Sequence, residues 1–266
     1  MQYTTIPSTT LNVSRISFGT ASLHHLPSRR DRLRLLNSAF DHGITHFDTS
    51  PYYGLGLAEA DLSKLVPMRR TQITVASKVG LYPSGRYAQS SVDVWMRKAL
   101  GKIFSRLSRA RVDWSVRSAN RSVEMSLSRM RVDYLDVLFL HDPTSDLINL
   151  DEFTRWGESL RNSGKVRYLG LAGEPSELVS LIPKTASFAT IVQSKDSIDV
   201  RESDILLVNG RPLQFTYGYL RSGGADDCRE GVAQRMSEAL TRNQNGSVVI
   251  STRRLARLSQ LSKLLL

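Results

Sequence analysis

The sequence predicts an α/β fold: a closed (β/α)8 barrel with an N-terminal β-hairpin. Three observations lead there. Short apolar, β-branched runs alternate with helical patterns from end to end, giving eight strand–helix units after the hairpin. The strand runs are nearly continuous in apolar residues, as expected of a parallel sheet buried on both faces. Three of them close on polar groups: Asp48 and Tyr53 in HFDTSPYYG, Lys78 in ITVASKVG, and His141 in VLFLHDP. Barrel strands place reactive groups at that rim. An open doubly wound sheet is the rival, but it usually carries a Gly-rich phosphate loop after its first strand. Here that site reads FGTASLHHL, with one glycine.

In chain order, residues 3–13 read as a short hairpin with polar STT at its turn, and RISFGTA (15–21) as the first barrel strand. Ser28 is placed to cap a helix running to about His42, with Leu33, Leu36 and Phe40 on one face and Gly43 as its stop. THFDTS is the second strand and GLAEADLSKLV the second helix. The third strand is QITVASKVG (72–80). A long irregular stretch follows, from Leu81 to about Trp114, in which VDVWMRKALGKIFSRLSR has helical character. A connection this long is usually functional or mobile, and faster hydrogen exchange is expected over 81–115 than over 135–140. Val116, Val123, Leu127 and Met130 then share a helix face. YLDVLFLHD, VRYLGLAG, FATIVQSK, PLQFTYG and SVVIST supply the remaining strands. Between and after them lie LDEFTRWGESLRNSG, PSELVSLI, ESDILLVNG, EGVAQRMSEALTRN and RRLARLSQLSKLLL as helices. The whole, residues 1–266, is expected to be one (β/α)8 TIM barrel domain with a basic insertion at about 81–115.

Composition fits such a domain: 266 residues, 41% hydrophobic and 23% charged. No apolar run reaches the length of a membrane span, and the polar N-terminus lacks the regions of a secretory signal. The lone Cys228 excludes an internal disulfide and a cysteine-based zinc site. A cytoplasmic location is therefore expected. A net charge of +11 favours anionic partners. Residues 81–117 hold eight Lys or Arg against Asp93 and Asp113, so over half of the surplus sits in one segment. Its plain reading is a solvated amphipathic helix.

An acid, a phenol, an amine and an imidazole on one rim are suited to proton transfer to a carbonyl. Taken singly, each has a plainer reading. Asp48 is placed to cap a helix, Tyr53 to sit at an interface beside Tyr52, Lys78 at the surface, and His141 in a satisfied core. His24, His25, His42 and His46 show no metal-ligand spacing and read as structural or surface residues, so no metal is expected. GLGLAE (54–59) lacks the rest of a dinucleotide fingerprint and reads as a tight turn. The better phosphate site is STRR at the start of the last helix, where Arg253, Arg254 and Arg257 crowd one turn.

FDTSPYYGLGLAE is similar to the Asp-Thr-Ala-x-x-Tyr-Gly motif of the aldo-keto reductase family. SKVG resembles that family's lysine strand, FLHDP its histidine strand, GKVRYLGLAG its fifth strand, and IVQ with Gln193 its sixth. The likeness covers nearly the whole chain in order and is greatest to the bacterial branch containing aldose and L-galactose dehydrogenases. It implies an NADP(H)-dependent oxidoreductase, with NAD possible, that interconverts an aldehyde, ketone or sugar and its alcohol. Asp48, Tyr53, Lys78 and His141 would be the catalytic residues. Tyr53 would act as general acid or base, with Lys78 lowering its pKa, Asp48 fixing Lys78, and His141 orienting the carbonyl. Cofactor contacts are expected at Thr20, Gln193, Tyr217, Leu220, Ser251, Arg253 and Arg257, Gln193 reaching the carboxamide and Arg257 the 2′-phosphate. Two departures stand out: Ala172-Gly173 replaces a common Ser-Asn, and Leu261 a common asparagine. The expected partner is a small carbonyl or alcohol substrate, with no membrane or nucleic acid, in a monomer or weak homo-oligomer. The alternative function is a nicotinamide-binding regulatory or binding subunit with little turnover, its basic insertion gripping an acidic partner.

Overall fold

The computed structural model describes residues 1–85, 87, 88, 90, 92–94, 96, 97, 110–220 and 229–265. The expected hairpin is present, with β1 (Tyr3–Thr5) antiparallel to β2 (Asn12–Ser14). The chain then forms β3 (Ile16–Gly19), α1 (Arg29–Asp41), β4 (His46–Asp48), α2 (Leu57–Leu62) and β5 (Thr74–Val79). A short antiparallel ribbon, β6 (Leu81–Tyr82) with β7 (Arg111–Val112), closes the neck of the insertion. Next come α3 (Val116–Met130), β8 (Leu135–His141), α4 (Leu150–Asn162), β9 (Val166–Gly173) and α5 (Pro175–Thr185). The rest is β10 (Ala189–Lys195), α6 (Asp204–Val208), β11 (Phe215–Tyr217), α7 (Arg229–Arg242), β12 (Ser247–Ile250) and α8 (Leu255–Ser262). Strands β3, β4, β5, β8, β9, β10, β11 and β12 close a parallel barrel, sealed where Ile250 of β12 lies opposite Phe18 of β3. This is the (β/α)8 architecture expected from the alternation.

Local chemistry explains the helix ends. The side chains of Ser28, Ser115 and Asn149 accept the N–H groups of Asp31, Ser118 and Glu152, satisfying donors that a first helical turn leaves free. Gly43, the expected stop of α1, and Gly164 after α4 adopt left-handed backbones with φ of +87° and +71°.

Strand alternation divides the apolar residues into two cores. Outward Phe47, Val75, Leu138 and Leu140 pack against the helices. Inward Ala76, Val137, Phe139, Ala172, Ile191 and Phe215 fill the barrel, where Ile6, Leu11 and Val13 of the hairpin join them. Pro7 and Ser14 bond to Gln214 and Thr45, which precede strands. The hairpin therefore plugs the N-terminal mouth and leaves the opposite mouth for the site.

One strand is shorter than its sequence suggests. PLQFTYG pairs only over Phe215–Tyr217. Gln214 keeps one backbone bond, its carbonyl accepting Ser247 N–H at 2.8 Å, and its side chain adds three more: Oε1 accepts Val192 N–H at 2.7 Å, and Nε2 donates to Pro7 O at 2.8 Å and Thr190 O at 3.1 Å. These contacts lie beside a register shift between Ala189 and Ile191.

Described parts of the insertion are fastened to the barrel. Ala88 N–H donates to Leu55 O at 2.8 Å, and the Arg129 guanidinium lies 3.9 Å from the Tyr87 ring centre. Val94 is buried with Leu55 and Leu57. Residues 92–94, 96 and 97 are helical. The rest of the expected helix, 98–109, lies outside the described residues, and with it much of the segment for which fast exchange is expected. No described helix is long and apolar enough to cross a membrane.

Candidate active site

The catalytic candidates come from the C-terminal ends of three adjacent strands. Asp48 ends β4, Lys78 is the penultimate residue of β5, and His141 ends β8. Tyr53 follows β4 on a tight turn through Gly54, Leu55 and Gly56, whose φ values of +58°, +56° and +89° are all left-handed. A Cβ on Gly54 would come within 2.7 Å of His24 Cβ, and one on Gly56 within 2.6 Å of the Tyr87 ring. Both glycines are thus required, and the segment is a turn, as its incomplete fingerprint suggests.

All four residues line one cavity of about 510 Å³. Lys78 Nζ donates to Asp48 Oδ1 at 2.5 Å and to Thr49 O at 3.0 Å, and it lies 5.1 Å from the Tyr53 ring centre. The pair is almost fully buried. Gln193 Nε2 also donates to Asp48 Oδ1, at 2.9 Å. Gln193, expected to hold a carboxamide, lines the cavity, and one amide N–H also completes the acid–amine pair, because β10 faces β4 across the barrel.

The electrostatics correct one expectation. Burial, then the charge of Asp48, with smaller effects of Tyr217 and Asp142, pushes the Tyr53 phenol well above its ordinary pKa near 10. The Lys78 ammonium was expected to win this balance. Desolvation also pulls the Lys78 pKa down, against the opposing effect of Asp48. The phenol therefore keeps its proton at neutral pH, which suits an acid. His141 is uncharged: burial, then Lys78, brings its pKa to about 3. Its ring meets Tyr53 edge-on at 6.0 Å, and its Nδ1 is buried without a hydrogen-bond partner among the described residues.

A second cavity of about 380 Å³ is lined by Arg253, Arg254 and Arg257. Ser22, His25 and Ser251 line both cavities, so the two adjoin. Ser22 and Ser251 hydroxyls meet at 2.7 Å. Uncharged proton donors thus stand in one cavity and three guanidinium groups in its neighbour, where an anionic group would be favoured. Gln193, Tyr217, Leu220 and Ser251 line the first cavity, and Arg253 and Arg257 the second. Thr20 does not take the expected place. It is fully buried, and its hydroxyl bonds to Asp48 O at 3.1 Å and Thr49 Oγ1 at 2.9 Å, tying β3 to β4. Leu261 packs into the outer core. The SGGADD loop (222–227) lies outside the described residues. His25, read as structural, and Asp142, next to His141, are lining residues that the sequence did not single out. Asp142 stands within the FLHDP motif, where only the histidine drew notice.

The sequence description of the aldo/keto reductase family matches residues 15–201. The chain belongs to the aldo/keto reductase family. Among its relatives, an L-galactose dehydrogenase of Arabidopsis thaliana is 28% identical over 66% of this chain and 49% of its own length. The aldo-keto reductase YhdN of Bacillus subtilis is 26% identical over 91% of this chain and 66% of its own. A D-threo-aldose 1-dehydrogenase of Pseudomonas sp is 26% identical over 68% and 56%. This aldo/keto reductase thus spans about half to two thirds of those relatives' length. The holo form of aldo-keto reductase AKR11C1 from Bacillus halodurans shares the fold, with a TM-score of 0.74 over 100% of this chain and 91% of that one at 19% identity.

Inside the barrel of this aldo/keto reductase, His46 lies on β4 beneath Asp48, stacked on Phe215 at 4.6 Å. Its pKa is also brought to about 3, by burial and then Lys78. Unfolded, His46 and His141 take up protons near the ordinary 6.5; folded, neither does until about 3. The unfolded chain binds more protons between these values. Stability should therefore fall as pH drops from about 6.5 toward 3, by up to about 1.4 kcal/mol per pH unit for each histidine. Thermal unfolding between pH 7 and 4 checks this. His46→Phe should flatten the dependence, and an unchanged slope would remove His46 from the account.

Proposed function

We propose that this protein is a nicotinamide-dependent oxidoreductase that interconverts an aldehyde, ketone or sugar with its alcohol, and that it prefers NADP(H). The convergence of Asp48, Tyr53, Lys78 and His141 on one cavity carries this reading. Reduction of a carbonyl takes hydride at carbon and a proton at oxygen. Bound reduced nicotinamide supplies the hydride, which protein side chains lack. Tyr53 supplies the proton, a role worth roughly 10²–10⁴-fold. As a neutral imidazole, His141 donates one N–H to the carbonyl oxygen and stabilises the negative charge that develops there. Asp48 and Gln193 hold Lys78 beside the phenol, and the ammonium offsets the phenolate left after transfer. Relatives named for sugars, including a 6-dehydroglucose reductase of Agrobacterium fabrum, support a hydroxylated substrate.

Carbonyls and alcohols offered with each cofactor, followed by absorbance of the reduced nicotinamide, test the reading. Turnover of a simple aldehyde supports it. Tight cofactor binding without turnover of any of them would favour a binding subunit instead.

The cofactor preference has its own test. The 2′-phosphate of NADPH can accept charge-assisted hydrogen bonds from the guanidinium groups of Arg253 and Arg257. Such bonds contribute roughly 1.5–3 kcal/mol each, enough for about a tenfold preference or more over NADH. Arg257→Ala should weaken NADPH and spare NADH in fluorescence titrations. Equal affinities in the unmodified protein would dismiss the arginines as a 2′-phosphate site while leaving the hydride-transfer reading intact.

A further inference from the structure

Asp142 is a carboxylate in the catalytic cavity that the proton-transfer chemistry does not use. Its backbone is left-handed, with φ +48°, and its N–H donates to Ala172 O at 2.7 Å. The neighbouring residue on β9 is Gly173. A Cβ there would stand only 2.9 Å from Asp142 Oδ1, so the glycine clears the place that the carboxylate occupies. Asp142 Oδ2 lies 4.0 Å from His141 Nε2. Its charge raises the pKa of both Tyr53 and Lys78. The carboxylate therefore faces the same space as the reacting groups. Glu174 at the rim is matched by Lys195 at 3.2 Å.

We propose that Asp142 is a specificity-determining residue that selects uncharged carbonyl substrates bearing a hydroxyl on the carbon next to the carbonyl. The inference rests on the carbonyl-reduction reading above. An ionised carboxylate only accepts hydrogen bonds, and a substrate hydroxyl is the matching neutral donor. The span from His141 Nε2 to Asp142 Oδ2 suits two oxygens on adjacent carbons. The carbonyl oxygen accepts from an Nε2–H imidazole, and the hydroxyl donates to the carboxylate. A substrate carboxylate at that position meets like charge from Asp142, so 2-oxo acids are disfavoured.

Glyceraldehyde and propanal, equal in carbon number, read the contact directly. With NADPH, the unmodified protein should favour glyceraldehyde by about 10- to 100-fold in kcat/KM, the range of one charge-assisted hydrogen bond. Asp142→Ala should erase most of that preference, chiefly through KM for glyceraldehyde. Asp142→Asn should keep part of it, because the amide oxygen still accepts, and should improve turnover of glyoxylate. No preference in the unmodified protein, or equal losses for both aldehydes in Asp142→Ala, would overturn the proposal and leave carbonyl reduction standing. A tenfold weaker NADPH complex in Asp142→Ala with the preference intact would overturn it too, by assigning the carboxylate to the cofactor. Failure to turn over any aldehyde or alcohol would defeat the carbonyl-reduction reading and this proposal together.

Discussion

Tyr53→Phe should lower turnover by roughly 10²–10⁴-fold while cofactor affinity stays within a few-fold. The substitution removes one oxygen and keeps the ring that Lys78 and His141 pack against. It deletes the proposed proton donor and little else. The raised phenol pKa adds a direction to the expectation. The phenol is protonated for reduction near neutral pH, whereas alcohol oxidation needs it ionised and should rise with pH through the alkaline range. Steady-state rates in both directions across pH, beside fluorescence titration of the cofactor, separate these effects. Retention of most activity in Tyr53→Phe would mean that another group delivers the proton.

Lys78→Met should damage both stability and catalysis. It leaves Asp48 buried with its partner gone, and only Gln193 among the side chains bonded to its Oδ1 remains. Breaking a buried ion pair from one side typically costs about 3–5 kcal/mol. The phenol also loses the nearby cation that offsets a forming phenolate, so turnover should fall as far as in Tyr53→Phe. The double substitution Lys78→Met with Asp48→Asn removes the stranded charge. It should recover much of the stability and none of the activity, by urea unfolding and kinetics respectively. A single Lys78→Met variant as stable and as active as the parent would show that the pair neither holds nor tunes the site.

The sequence by itself determined the strand–helix alternation, the helix ends at Ser28 and Gly43, and the four polar groups at the rim. These are local properties. Side-chain period, a cap three residues before the N–H it accepts, and a polar residue closing an apolar run are all written within a few positions. The short pairing at Phe215–Tyr217 was hidden, because just before it the Val192 N–H is taken by a side-chain amide, that of Gln214, 22 residues away. So was the inward turn of Thr20, whose hydroxyl is drawn to Asp48 O and Thr49 Oγ1 once β3 and β4 pair.

Only the tertiary structure decided how the site is tuned. Closing the barrel brings Gln193 to Asp48 from 145 residues away and seats His46 beneath the pair. It also set the sign of the Tyr53 shift, since burial and Asp48 act on the phenol from several elements at once. It turned Asp142 into the cavity through a left-handed backbone and a glycine on the next strand. Electrostatic energies depend on every charge and all the excluded water within several ångströms. No window of sequence contains that neighbourhood, which exists only when the ends of β4, β5, β8, β9 and β10 meet at one mouth of the barrel.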